Sequence, residues 1–235
     1  MRAERRGLII DLDDTVYPRS TYVRSGCAAV ARYAAGSHDV SSQEAYGTLA
    51  RAMATGEPRS AFQALCARHG LPGSMLPGML DAFRSHEPEL WLSDAVEQTL
   101  ADLRQSGWRV AILTNGLPSV QKKKVAALRL GALVDHVLYA EEIATGGKPA
   151  APVFREALGR LGVTASRTVC VGDDPFADVA GARALGIHTI RLARPGMAPA
   201  PEFEADAVVD RFDQVPAVAA ALLTSAEDGD LAHVA

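Results

Sequence analysis

Gly7-Leu8-Ile9-Ile10-Asp11-Leu12-Asp13-Asp14-Thr15 is the stretch on which the fold turns. Its opening residues form a short apolar run that suits a buried strand, and the run breaks at once into acid. Asp11 and Asp13 stand one residue apart at the end of that strand. If the strand continued, period-two geometry would point both side chains the same way. Carboxylates that close repel each other, so a proton or a cation has to offset them. Asp-rich loops also cap helices and make turns, and this stretch alone leaves both readings open.

Outward from it the texture changes. Ala-rich segments at 22–35, 42–54, 59–69 and 75–84, separated by Gly36, Gly56-Glu57-Pro58 and Gly70-Leu71-Pro72-Gly73, predict four helices and no strand. Beyond Trp91 the pattern alternates. Helices are predicted at 94–105, 119–130, 152–161 and 175–185, and strands at 109–113, 136–139, 168–171, 188–192 and 207–209. A last helix is expected to close at Leu222, with 224–235 as a flexible, acidic C-terminal tail. Alternation of strand and helix predicts an α/β fold with a parallel, Rossmann-like sheet. Residues 1–17 and 92–223 then form the core, and 18–91 a helical cap domain inserted after the first strand. Such an insert is expected over the strand ends, where open parallel sheets bind ligands. Trp91 and Trp108 are expected to pack under the sheet.

Three further groups follow apolar strands. Thr114-Asn115-Gly116 offers a hydroxyl and backbone N–H groups suited to phosphate oxygens, or an ordinary helix start. Lys148, in Gly146-Gly147-Lys148-Pro149, could neutralise phosphate and an adjacent carboxylate, although a single loop lysine is usually just solvated. Gly172-Asp173-Asp174-Pro175-Phe176-Ala177-Asp178 adds carboxylates. The helix dipole accounts for Asp178 but not for Asp173 and Asp174. In a parallel sheet all of these strand ends share one edge. Acids for a hard cation, with a hydroxyl and an ammonium for phosphate oxygens, make up a phosphoryl-transfer site.

Bulk properties narrow the partners. The chain is 48% apolar and 22% charged with a formal net charge of −4, which gives no general attraction to nucleic acid polymers or acidic membranes. Cys27, Cys66 and Cys170 have no metal-ligand spacing and read as buried thiols of a reducing compartment. Arg2, Arg5 and Arg6 precede an apolar run, but Asp11 cuts it too short for a signal peptide. No stretch approaches the length of a membrane span. A cytoplasmic monomer or homodimer acting on a small phosphorylated metabolite is expected.

The motif set resembles the haloacid dehalogenase superfamily of phosphotransferases. Asp11-x-Asp13-x-Thr15 is similar to its first motif, Thr114 to the second, Lys148 to the third, and Gly172-Asp173-x-x-x-x-Asp178 to the fourth. A helical insert between the first two motifs resembles the C1-cap subclass. Tyr17-Pro18, Phe83-Arg84-Ser85-His86-Glu87-Pro88, Thr114-Asn115-Gly116 and Gln121 with Lys124 resemble the pyrimidine/nucleotide 5′-monophosphatase-like branch, which also holds sugar-phosphate phosphatases. Ala151 departs from the third motif's usual second proline, which comes one residue later as Pro152. The resemblance implies a catalytic set of Asp11 (the nucleophile), Asp13 (acid and base), Thr114 and Lys148. Thr114, the Asn115 backbone and Lys148 would bind the phosphoryl group. Mg²⁺ would be held by Asp11, the Asp13 carbonyl and Asp173, with Asp174 and Asp178 orienting that shell. Tyr17, Arg19, Arg84 and His86 are the candidate specificity residues.

The same residues bear on other activities. Carbon–halogen cleavage needs neither a leaving-group acid nor a metal, so Asp13 and Asp173 argue against a dehalogenase. A phosphosugar mutase stays open. A binding protein on this scaffold would commonly have lost Asp11 or Asp13.

Overall fold

The structure is a computed structural model that describes residues 5–54, 58–193 and 202–231. Along the chain come β1 (Arg6–Ile10), α1 (Arg19–Ser37), α2 (Ser42–Met53), α3 (Pro58–His69), α4 (Leu76–Ser85) and α5 (Asp94–Gln105). β2 (Trp108–Thr114), α6 (Pro118–Ala127), β3 (His136–Tyr139), α7 (Ala140–Ile143), α8 (Ala151–Leu161) and β4 (Thr168–Gly172) follow. A π-helical turn (Pro175–Ala180), α9 (Gly181–Arg183), β5 (His188–Leu192), β6 (Ala207–Val209) and α10 (Val215–Leu231) complete it.

The chain divides into two compact units, Met1–Pro18 with Trp91–Ala235, and Arg19–Leu90. The first is built on a six-stranded sheet in the order β3-β2-β1-β4-β5-β6, every neighbouring pair parallel. The expected α/β, Rossmann-like architecture is met. β1 lies between β2 and β4, and Leu8, Ile9 and Ile10 are each at most 1% exposed. A strand covered on both faces needs an unbroken apolar run, which is why this one does not alternate. Ile9, Ala111, Leu113 and Cys170 pack with Val153, Phe154, Ala157 and Leu161 of α8. Pro152 starts α8 and Gly162, at φ +66°, ends it. Because all strands run the same way, the segments after β1, β2, β3 and β4 emerge along one edge.

The second unit is all-helical among its described residues, with Val30, Ala31, Leu49, Leu65 and Met79 fully buried. Phe83 sits edge-on to both Tyr22 and Phe62. Among the described residues no helix is long and apolar enough to cross a membrane, and Cys27, Cys66 and Cys170 are buried free thiols.

Several expectations are corrected. α10 continues past Leu222 to Leu231, with no proline to interrupt it; residues 232–235 lie outside the described residues. α6 ends at Ala127 rather than residue 130, since Arg129 turns left-handed at φ +53°. The expected helix 175–185 is a π-helical turn followed by the short α9. Trp108 is buried beneath Arg6, but Trp91 is 70% exposed and does not pack under the sheet.

Candidate active site

Asp11 directly follows β1, and its N–H donates to the Val171 carbonyl of β4. The chain then reverses through Asp14, at φ +57°, a conformation Asp tolerates better than most residues. That reversal returns Thr15 to the site, where its hydroxyl lies 3.4 Å from Asp11 Oδ2.

Lys148 arrives from the segment after α7. Its Nζ donates to Asp11 Oδ1 at 2.6 Å, to Asp178 Oδ1 at 2.7 Å and to the Leu113 carbonyl at 2.9 Å. Three acceptors satisfy all three ammonium donors of a side chain only 2% exposed. The loop is fixed by Asn115, whose side chain takes the Lys148 N–H at 2.8 Å and donates to the Lys148 carbonyl at 3.0 Å. Gly147 permits this approach, because a Cβ there would collide with Asn115 Oδ1. The Asn115 side chain is thus committed to the loop.

Asp178 is buried, and its other oxygen accepts from Asp174 N at 3.1 Å. A Cβ at position 172 would overlap its carboxylate, so β4 has to end in glycine. The Asp174 carboxylate does not join the cluster; it caps the π-helical turn through Phe176 N and Ala177 N at 2.8 and 2.9 Å. π-Turns recur at functional sites, and this one carries Asp178. Asp173 is half-buried, with no ion-pair partner among the described residues.

Oxygens of Asp11, Asp173 and Asp178 lie within 4.8 Å of one another. Two of these carboxylates share the Lys148 ammonium and the third, Asp173, adds negative charge with no ion-pair partner among the described residues. Burial pushes Asp11 up to about 7, with Lys148 opposing and Asp178 adding to the rise. Burial, then the charges of Asp11 and Asp14, push Asp173 up to about 7. Burial also raises Asp178, against Lys148. Lys148 runs the other way: burial alone would lower it, but the two aspartates raise it and it stays charged. Hard oxygen donors crowded in excess of positive charge fit a divalent cation such as Mg²⁺.

Asp13 turns away from this cluster towards α6. Lys124 Nζ contacts both its oxygens, at 2.9 and 2.7 Å, and Gln121 Nε2 and the Tyr17 hydroxyl supply two more donors. Burial works to raise Asp13, but Lys124 and these hydrogen bonds outweigh it and hold it below the usual carboxylate range. Gln121 Nε2 also donates to Thr114 Oγ1. In the sequence Gln121 and Lys124 stand out only by resemblance, with nothing to place them at the site. Their i, i+3 spacing on a predicted helix was the available signal. The structure thus brings Asp11, Asp13, Thr114, Asn115, Lys148, Asp173 and Asp178 together, and sets Tyr17 with them, at Asp13. Arg19, Arg84 and His86 belong to the helical unit, where Arg19 and Arg84 are exposed and His86 Nδ1 lies 2.7 Å from the Phe83 carbonyl.

The family model for haloacid dehalogenase-like hydrolases matches residues 6–186. A ribulose-1,5-bisphosphate 5-phosphatase of Halopiger xanaduensis is 34% identical, over 78% of this chain and 82% of its own. A glyceraldehyde 3-phosphate phosphatase of Methanopyrus kandleri is 30% identical, over 89% of this chain and 97% of its own. The fold matches a magnesium-bound HAD hydrolase of Bacillus subtilis with TM-score 0.69 at 17% identity, covering 92% of this chain and 99% of that one.

Proposed function

The chain belongs to the haloacid dehalogenase-like hydrolases, and from that premise we propose that it is a Mg²⁺-dependent phosphomonoesterase of small phosphorylated metabolites. The observation that carries this reading is the Lys148 ammonium, buried between Asp11 and Asp178 beside an acid in excess of its counter-charge. A phosphoryl group needs that combination, a carboxylate to attack phosphorus and fixed positive charge for its oxygens.

In this account Asp11 attacks phosphorus and the bond to the leaving oxygen breaks, giving an aspartyl-phosphate. Asp13 protonates the departing alkoxide. It then takes a proton from the water that attacks the intermediate, which frees phosphate and regenerates Asp11. Held as a carboxylate at rest, Asp13 is already in the form the second step needs. For the first step it has to take up a proton, and only good leaving groups can depart without one. The Thr114 hydroxyl, the Asn115 backbone N–H and Lys148 hold the phosphoryl oxygens. Mg²⁺, when held by Asp11, Asp173 and the Asp13 carbonyl, supplies further positive charge for those oxygens. With its carboxylate engaged on α6, Asp13 has only its main chain to offer there. Asp178, paired with Lys148, serves to place that ammonium.

Substrate choice is assigned to the helical insert, with Arg19, Arg84 and His86 as its candidate residues. The named relatives act on phosphates of a sugar and of a triose, which favours small carbohydrate phosphates over nucleotides. The test is phosphate release from sugar phosphates, triose phosphates, nucleotide monophosphates and p-nitrophenyl phosphate, with Mg²⁺ or with EDTA. Metal-dependent release that ranks carbohydrate phosphates first is expected. Release that persists in EDTA contradicts the metal requirement, and a nucleotide ranked first contradicts the preference for carbohydrate phosphates.

A further inference from the structure

Gln121 and Lys124 are 2% and 4% exposed, one helical turn apart on the same face of α6. A buried amide and a buried ammonium are costly unless each is satisfied, and apolar side chains would fill the same volume at less cost. Packing therefore does not account for them, and their contacts do.

Lys124 spans both oxygens of Asp13, at 2.9 and 2.7 Å. Gln121 Nε2 meets Oδ2 at 3.0 Å and the Tyr17 hydroxyl meets Oδ1. Each oxygen of Asp13 thus accepts two hydrogen bonds, which fixes both the position and the plane of the carboxylate. The amide orientation of Gln121 follows from the same charge, since the flipped amide would set its carbonyl oxygen against a carboxylate. The same Nε2 then donates to Thr114 Oγ1. With its oxygen accepting from Gln121, the Thr114 hydroxyl turns its single hydrogen elsewhere. Among the described residues it reaches only the Asn115 carbonyl, at a long 3.4 Å. A phosphoryl oxygen would be a better acceptor.

We propose that Gln121 and Lys124 are positioning residues for hydrolysis, fixing the Asp13 carboxylate and the Thr114 hydroxyl in register with Asp11. The proposal rests on the phosphatase reading above. One helix face sets both the group that serves the leaving oxygen and a group that binds the phosphoryl.

The test compares an alkyl phosphate, whose leaving group requires a proton, with p-nitrophenyl phosphate, whose leaving group does not. Lys124→Met is expected to lower kcat, with KM little changed, and roughly tenfold or more further on the alkyl ester than on the aryl ester, the lost placement of Asp13 outweighing its easier protonation; Gln121→Leu, which also releases Thr114, adds to the same difference a loss common to both esters. Lys124→Arg, which keeps a cation on both carboxylate oxygens, is expected to recover most of that difference. Tyr17→Phe removes a single hydroxyl and gives a smaller shift in the same direction should the larger changes prevent folding. Equal losses on both esters, no loss on either, or an Arg variant as impaired as the Met variant overturns the positioning role alone. A wild-type protein that hydrolyses neither ester overturns the phosphatase reading, and the positioning role with it.

Discussion

Lys148 is the residue on which the site's charge balance rests, and its removal is felt first in the fold. Lys148→Met leaves Asp11 and Asp178 buried without their ammonium. Breaking a buried pair from one side costs about 3–5 kcal/mol, so denaturant unfolding near neutral pH is expected to register a loss of that order. A midpoint equal to wild type would mean that the ion pairs contribute nothing. The acids give a pH dependence of definite sign. Asp11 and Asp173 sit at about 7 in the folded protein against 3.8 in the unfolded chain. The folded state therefore binds more protons between those values, and stability without metal falls as pH rises through that window. The loss is complete above about 7, and below 3.8 both states are protonated alike. Thermal melts in EDTA across this range check it, and melts that rise through the window contradict it.

Elements were legible to the extent that their causes are local. β1 announced itself by an unbroken apolar run; the causes of α5 and α8 are as local, the Ser93 hydroxyl accepting from Val96 N in one and a proline near the start with a glycine at the end in the other. What escaped depends on contacts distant in sequence. Nothing in the order of residues says that Lys124 meets Asp13, 111 positions away. Nor does it say that Asn115 is committed to the Lys148 backbone rather than to a ligand. The acidic run after β4 read as one cluster, yet its members divide: Asp178 pairs with Lys148, and Asp174 caps the turn that carries it. Asp174→Ala is accordingly expected to cost about 1 kcal/mol, measured by denaturant unfolding, with phosphate release reduced less than by Asp178→Ala. An Asp174 variant that unfolds like wild type but loses all activity would return that carboxylate to the metal cluster.

At the scale of the molecule, a parallel sheet collects side chains that are far apart in sequence along one edge, where three acids gather and two of them pair with one ammonium. A divalent cation bound there should stabilise the folded chain, because the unfolded chain has no such site. The cation competes with protons on Asp11 and Asp173, so the Mg²⁺-induced rise in Tm is expected to be larger above about pH 7 than well below it. No rise at any pH would mean that the cluster is not a cation site. The central claim is that Asp11 carries the phosphoryl group during turnover. It is tested most directly by acid-quenching the enzyme with its best substrate and Mg²⁺, then locating phosphate on the digested chain by mass spectrometry. The account predicts phosphate on Asp11, and none on any residue of the Asp11→Asn variant. Steady phosphate release with the label on another residue, or undiminished release by Asp11→Asn, would contradict it.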